Sequence, residues 1–296
     1  MNYSLKYLLV LLGCVSLLTT TAQHDFDSVS RANMGLMAEG KYDEVQNNAN
    51  ILLTSSDPNF KALGHHWMAS VATRTHDYES SIDNFYKALN LYLEVEDTAR
   101  IFAIYNNIAV VYGSMEDHVQ SVEHYQLSLQ FISNHYHPKF AISLATSHLN
   151  LGSGYTAIYQ DENKASFRDS AIAHYDRAIE LISKETETEK TQYLLAYAYS
   201  NYASLLCEDG YASGIEYAIL SRKLSQKIDD SLSIAMSYFY QASYFTKIDS
   251  FALALDYVDS GEVVFPQLGS RVPLIDLYAL KSEIYEGMGN ASAALK

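Results

Sequence analysis

Along "YNNIAVVYG", residues 105–113, the apolar side chains Tyr105, Ile108, Ala109 and Tyr112 fall at i, i+3, i+4 and i+7. That spacing is one stripe of an α-helix. Segments of this kind follow one another from about residue 28 onward, while alternating β-branched runs bounded by turns are almost absent. The pattern predicts an all-α chain.

Self-comparison shows that the helices come in pairs. "GKYDEV" (40–45), "HDYESS" (76–81), "EDHVQS" (116–121), "IDSFALA" (248–254) and "MGNASAA" (288–294) share a short turn and then a small residue that opens a second helix. Two columns of small positions carry the repeat. In the first helix they are Asn33, Ala69, Ala109, Gly152, Ala203, Ala242 and Ser282; in the second they are Val45, Ser81, Ser121, Ala171, Gly214, Ala254 and Ala294. The columns lie 12 residues apart in five units, 11 in the fifth and 19 in the fourth, where a polar turn insertion is expected around "QDENKASFR" (160–168). Small side chains in both columns let two antiparallel helices approach closely where they cross. Pro58, Pro138, Pro266 and Pro273 fall near unit junctions, where a helix must stop or start.

This frame resembles the tetratricopeptide repeat, whose pattern is W-x2-L-G-x2-Y, a turn, then A-x3-F. The first-helix aromatic is here Tyr105, Tyr199, Tyr238 or Tyr278, and the leucine-glycine pair stands best as Leu151–Gly152. The match covers residues 28 to 296 in about seven units, the last incomplete and the first and fifth loose. Units run to roughly 40 residues instead of about 34. The resemblance implies a right-handed superhelical solenoid of antiparallel helix pairs over residues 23–296, its first helices lining the concave side.

At about 100° per residue, Asn107 lies nearly opposite Tyr105, on the face away from the apolar stripe. Asn150 and Asn201 take that position in the next two units, and Trp67 and Tyr240 take it in the second and sixth. Three residues further on, the same face carries Ser70, Val110, Ser153, Ser204 and Ser243, and one turn beyond come Arg74 and Lys247. What the resemblance implies is a polar ladder along a groove, similar to the asparagines that hold an extended peptide's backbone in related arrays. An amide both donates and accepts, so it can pair a peptide N–H or C=O whatever the side chain. Short residues beside it leave room for a strand or helix. Trp67 and Tyr240 are expected to be aromatic anchors, and Arg74 and Lys247 to be carboxylate partners. The expected partner is a protein or peptide. The competing reading is an ordinary solvated helix face.

Charge narrows the partner class. Thirty-five Asp and Glu against 20 Lys and Arg give a net charge of −15, with no basic stripe, so nucleic-acid binding is not expected. The first 22 residues differ from the rest: Lys6 precedes the apolar run 7–18, which is too short to span a bilayer. Thr20 and Ala22 fit the −3 and −1 sites of a signal peptide, with cleavage between Ala22 and Gln23. The chain is expected to be exported to the periplasm or cell envelope. The rival reading takes "LLGC" (11–14) as a lipobox that lipidates Cys14. Membrane attachment is expected only through Cys14 or a segment beyond Lys296. Cys207 is the remaining cysteine, so no internal disulfide can form, and it reads as a small buried hydrophobe.

No motif carries catalysis. His135 and His137, His65 and His66, and His118 and His124 lack a spaced third ligand; His148 sits at an aromatic position and reads as a packed ring. "GSGY" (152–155) lacks the preceding strand and the lysine of a phosphate loop. Nothing groups a nucleophile with a base. No enzyme activity, metal or cofactor is expected. The function expected is a protein- or peptide-binding repeat scaffold. The alternative is the exported sensor region of a membrane-anchored regulator, whose histidine kinase or helix-turn-helix output would follow Lys296. The array breaks off two residues after Ala294 with its seventh pair unfinished, so the natural chain is expected to continue.

Overall fold

The computed structural model describes residues 26–135, 137–264 and 272–290. The expected signal peptide, Cys14, Pro266 and Ala294 lie outside these residues. Among those described, every regular element is helical. The helices run in successive pairs: α1 (26–38) with α2 (Tyr42–Leu53), α3 (Pro58–Arg74) with α4 (Tyr78–Glu94), and α5 (Thr98–Ser114) with α6 (His118–Asn134). Then come α7 (Ala141–Glu162) with α8 (Ala165–Ser183), α9 (Glu189–Glu208) with α10 (Ser213–Lys227), and α11 (Ser231–Lys247) with α12 (Phe251–Val264). A last helix, α13 (Val272–Gly287), follows. The result is an all-α helical-repeat solenoid in two compact units, one ending at Ser128 and the other beginning at Leu129.

The turn inside each pair is built one way throughout. A residue in the left-handed region ends the first helix: Gly40, His76, Glu116, Asn163, Gly210, Asp249 and Gly289. In six of these seven turns the next amide reaches back five residues, as Asp77 N to Ala72 O (2.9 Å), Asp117 N to Tyr112 O (3.0 Å) and Ser250 N to Phe245 O (2.8 Å) do. This is the Schellman closure, which satisfies carbonyls the helix end would otherwise leave unpaired. Asp77 and Asp117 then accept from the amides of Ser80 and Gln120 and start the second helix.

Both small columns are buried wherever they are described, except Ser282, which is half-buried. Ser81 Oγ donates across the crossing to Ala69 O (3.0 Å), so the two columns touch directly. A Cβ added to Gly214 would stand 2.6 Å from Cys207 Sγ and 2.8 Å from its backbone nitrogen. In an open helix Gly→Ala gains up to about 1 kcal/mol; here a backbone atom blocks the methyl, and overpacking costs about 1–3 kcal/mol. Gly214→Ala is therefore expected to lower the urea midpoint, and a raised midpoint would show that the α9–α10 crossing has slack.

Two expectations need correction. The insertion around residues 160–168 is not a loop. α7 runs for 22 residues and α8 for 19, joined by Asn163 and Lys164 alone. The seven extra residues lengthen the helices, and their polarity reflects exposed helix ends. The stripe on α5 is also wider than Tyr105, Ile108, Ala109 and Tyr112. Ile101, Ile104 and Val111 are buried as well, because the first helix of a stacked repeat packs against neighbours on two sides. Asn106 belongs to this buried set: its Nδ2 donates to Phe102 O (3.0 Å) and to Ser128 Oγ, so its amide is paired inside the core.

Candidate functional site

In the first unit, α1, α3 and α5 line a concavity of about 740 Å³. Five residues predicted from the repeat frame meet there: Trp67, Ser70 and Arg74 from α3, and Asn107 and Val110 from α5. Counting from each small-column residue, the +1 position supplies Met34, Ser70 and Val110, and the +5 position supplies Ala38, Arg74 and Ser114. Met34, Met37 and Ala38 were missed by sequence reasoning because the first repeat is loose, and Ser114 of the third because a serine at a helix end gives no signal, yet Met34, Ala38 and Ser114 obey the same register. Tyr42, Tyr78 and Phe85 add wall from the second helices, and His66, Thr73 and His76 also line the cavity.

The chemistry of this lining departs from that of the chain. The sequence carries 35 acidic residues, yet none stands among the described residues of the cavity. Arg74 is exposed and has no ion-pair partner among the described residues. Asn107 is half-buried, and its amide makes no hydrogen bond among them. Val110 presents 46 % of its surface. Ser70 Oγ is engaged with His66 O at 2.9 Å. Trp67 is not a projecting anchor: it is 6 % exposed and packs with Phe26, Val45, Leu63 and Val71. The indole is long enough to fold back over the core, so it forms the floor of the cavity.

The remaining predicted residues belong to the second unit. Asn201 Nδ2 donates to Ser153 Oγ (3.0 Å), tying α9 to α7. Ser204 Oγ donates to Glu208 Oε1 (2.8 Å). Tyr240 is 8 % exposed and packs with Ala203, Cys207 and Ala218, so it too is a packed ring and not an anchor. Asn150 and Ser243 are half-buried, and Lys247 is exposed with its stem beside Gly210. The polar ladder is thus not uniform: Asn107 faces open space, whereas Asn201 already has a partner on the neighbouring repeat.

His124, His148, His174 and Cys207 serve the packing. His124 donates Nδ1–H to Gln120 O (2.8 Å) and accepts at Nε2 from Tyr86 (2.8 Å). His148 and His174 meet Nδ1 to Nδ1 at 2.8 Å, which requires one ring to donate and the other to accept. Burial pushes Cys207 up to about 12, so it stays a thiol. Among the described residues no group of three His, Cys, Asp or Glu is placed to hold a metal ion. No described helix is long and apolar enough to cross a membrane.

Burial, reinforced by Arg100, pushes His66 down to about 4. Burial, then the neighbouring His174 and Arg177, does the same to His148. In the unfolded chain both titrate near about 6.5, so between there and about 4 the unfolded state binds more protons. Their contribution to stability is complete above the unfolded value and is lost as pH falls towards 4. The melting temperature is expected to fall between pH 7 and pH 5, and to fall less in His148→Gln. A flat profile would contradict the neutral rings.

The fold defines the class: an all-α helical-repeat protein. Residues 61–134 match the tetratricopeptide repeat by sequence, and with the repeated turn and paired helices this supports a tetratricopeptide-repeat protein. No curated protein matches the chain by sequence. Similar solved structures include aspartyl phosphate phosphatase F from Bacillus subtilis, 17 % identical with a TM-score of 0.66, covering 89 % of this chain and 66 % of that one. The apo form of RapI is 18 % identical with a TM-score of 0.63, covering 92 % and 94 %. NprR in complex with its cognate peptide NprX is 19 % identical with a TM-score of 0.55, covering 84 % and 68 %. At such identities the likeness concerns the fold.

Proposed function

We propose that this protein captures an extended or helical segment of a protein or peptide in the concavity of its first unit, and that it does so in the cell envelope. The observation that carries the reading is Asn107: a half-buried amide without a hydrogen-bond partner among the described residues, lining one cavity with the apolar Met34, Met37 and Trp67. An amide so placed pairs with backbone N–H or C=O, and the thioethers adapt to an apolar side chain of the guest. Arg74, in a lining without acids among its described residues, suits a carboxylate on the segment. NprR, which shares the fold, has been solved with a peptide, and the leader-like first 22 residues support export.

A peptide selected from a random library on the purified protein is expected to bind the wild type and to lose affinity for Asn107→Ala. An amide-to-backbone hydrogen bond contributes about 1 kcal/mol net, roughly fivefold in Kd. Equal affinity for both proteins would remove the cavity from this role.

A further inference from the structure

On the outward faces of α4 and α8 each base has an acid of the same face as its partner: Lys87 pairs with Asp83 at 2.6 Å, and Arg177 and the capping Lys184 pair with Glu180 at 2.5 Å each. α10 is different. It buries Gly214, Ala218, Ser221 and Ser225, and the opposite side carries Glu216 and Lys223 with the half-buried Ile219 and Leu220 between them. Glu216 and Lys223 are exposed, and neither has an ion-pair partner among the described residues. They stand about 10 Å apart along the helix, too far to pair with each other. The order along this face is acid, isoleucine, leucine, base, with two residues between each charge and its apolar neighbour. Turned end for end, it places base over acid and apolar over apolar.

A surface that complements its own inverted copy is what a two-fold interface requires. We propose that α10 is the docking face for a second copy of this chain, the two helices lying antiparallel about an axis at the Ile219–Leu220 junction. Each of these apolar residues then meets its counterpart at the axis. Glu216 stands opposite Lys223 of the second copy, once on each side. A parallel arrangement would set Glu216 against Glu216 and is disfavoured. One helix face is a small interface, so the dimer forms in a concentration-dependent way. It does not rest on the cavity of the first unit.

Sedimentation velocity over a concentration series tests this. The wild type is expected to pass from monomer to dimer. Glu216→Lys and Lys223→Glu, each setting like charges opposite one another, are expected to raise the dimer dissociation constant on the order of tenfold. The double variant restores both pairs, and so does a one-to-one mixture of the two single variants, so both are expected to dimerise like the wild type. A wild type that stays monomeric throughout, or single variants that neither the double substitution nor mixing rescues, would overturn the proposal.

Discussion

Tyr175→Ala is expected to destabilise the second unit by about 3–5 kcal/mol, the cost of deleting a large buried ring. Tyr175 is 1 % exposed and stands at the centre of a core with Leu149, Ala171, Tyr202 and Leu205. Its ring lies 5.5 Å from that of Tyr202. The ring also occupies the space over Gly152, where an added Cβ would come within 2.5 Å of it. Glycine at the crossing and tyrosine opposite are therefore one device, and the glycine has no side chain with which to fill the hole. The hydroxyl sits 3.1 Å from Thr156 Oγ1, and a neutral hydrogen bond of this kind contributes about 1 kcal/mol. Tyr175→Phe should consequently cost far less than Tyr175→Ala in urea unfolding. Equal losses would mean that the hydroxyl, and not the ring, holds α7, α8 and α9 together.

Arg74→Glu is expected to weaken peptide capture by about 2 kcal/mol, roughly thirtyfold in Kd. The substitution removes a charge-assisted hydrogen bond and sets an acid in a lining that otherwise has none among its described residues. Because Arg74 is exposed and has no ion-pair partner there, folding stability should change little. The loss should shrink as salt rises, since an exposed charge is screened. A peptide without a carboxylate should not distinguish the two proteins.

The register of the repeat was legible in the sequence. Small residues such as Ala69 and Ser81 stand 12 apart because two helices must touch there, and Ser81 does bond to Ala69. The same frame placed Trp67, Ser70, Arg74, Asn107 and Val110 on one face, and the structure brings them to one cavity. What a helical wheel could not show is how far each side chain reaches. Asn107 and Asn201 share a register position, but only Asn201 meets a serine 48 residues earlier in the chain. Trp67 and Tyr240 share it too, and their rings fold back into the core. Periodicity reports direction from the helix axis, whereas hydrogen-bond partners and ring packing depend on the neighbouring repeat. For the same reason the 163–164 connection was masked by a polar sequence that suits an exposed helix end as well as a loop.

The most direct measurement is a calorimetric titration of one library-selected, carboxylate-bearing peptide into the wild type, Asn107→Ala and Arg74→Glu, with melting curves taken alongside. Capture in the first-unit cavity predicts progressively weaker binding, roughly fivefold and then thirtyfold, at unchanged melting temperature. The same Kd for all three folded proteins would contradict it.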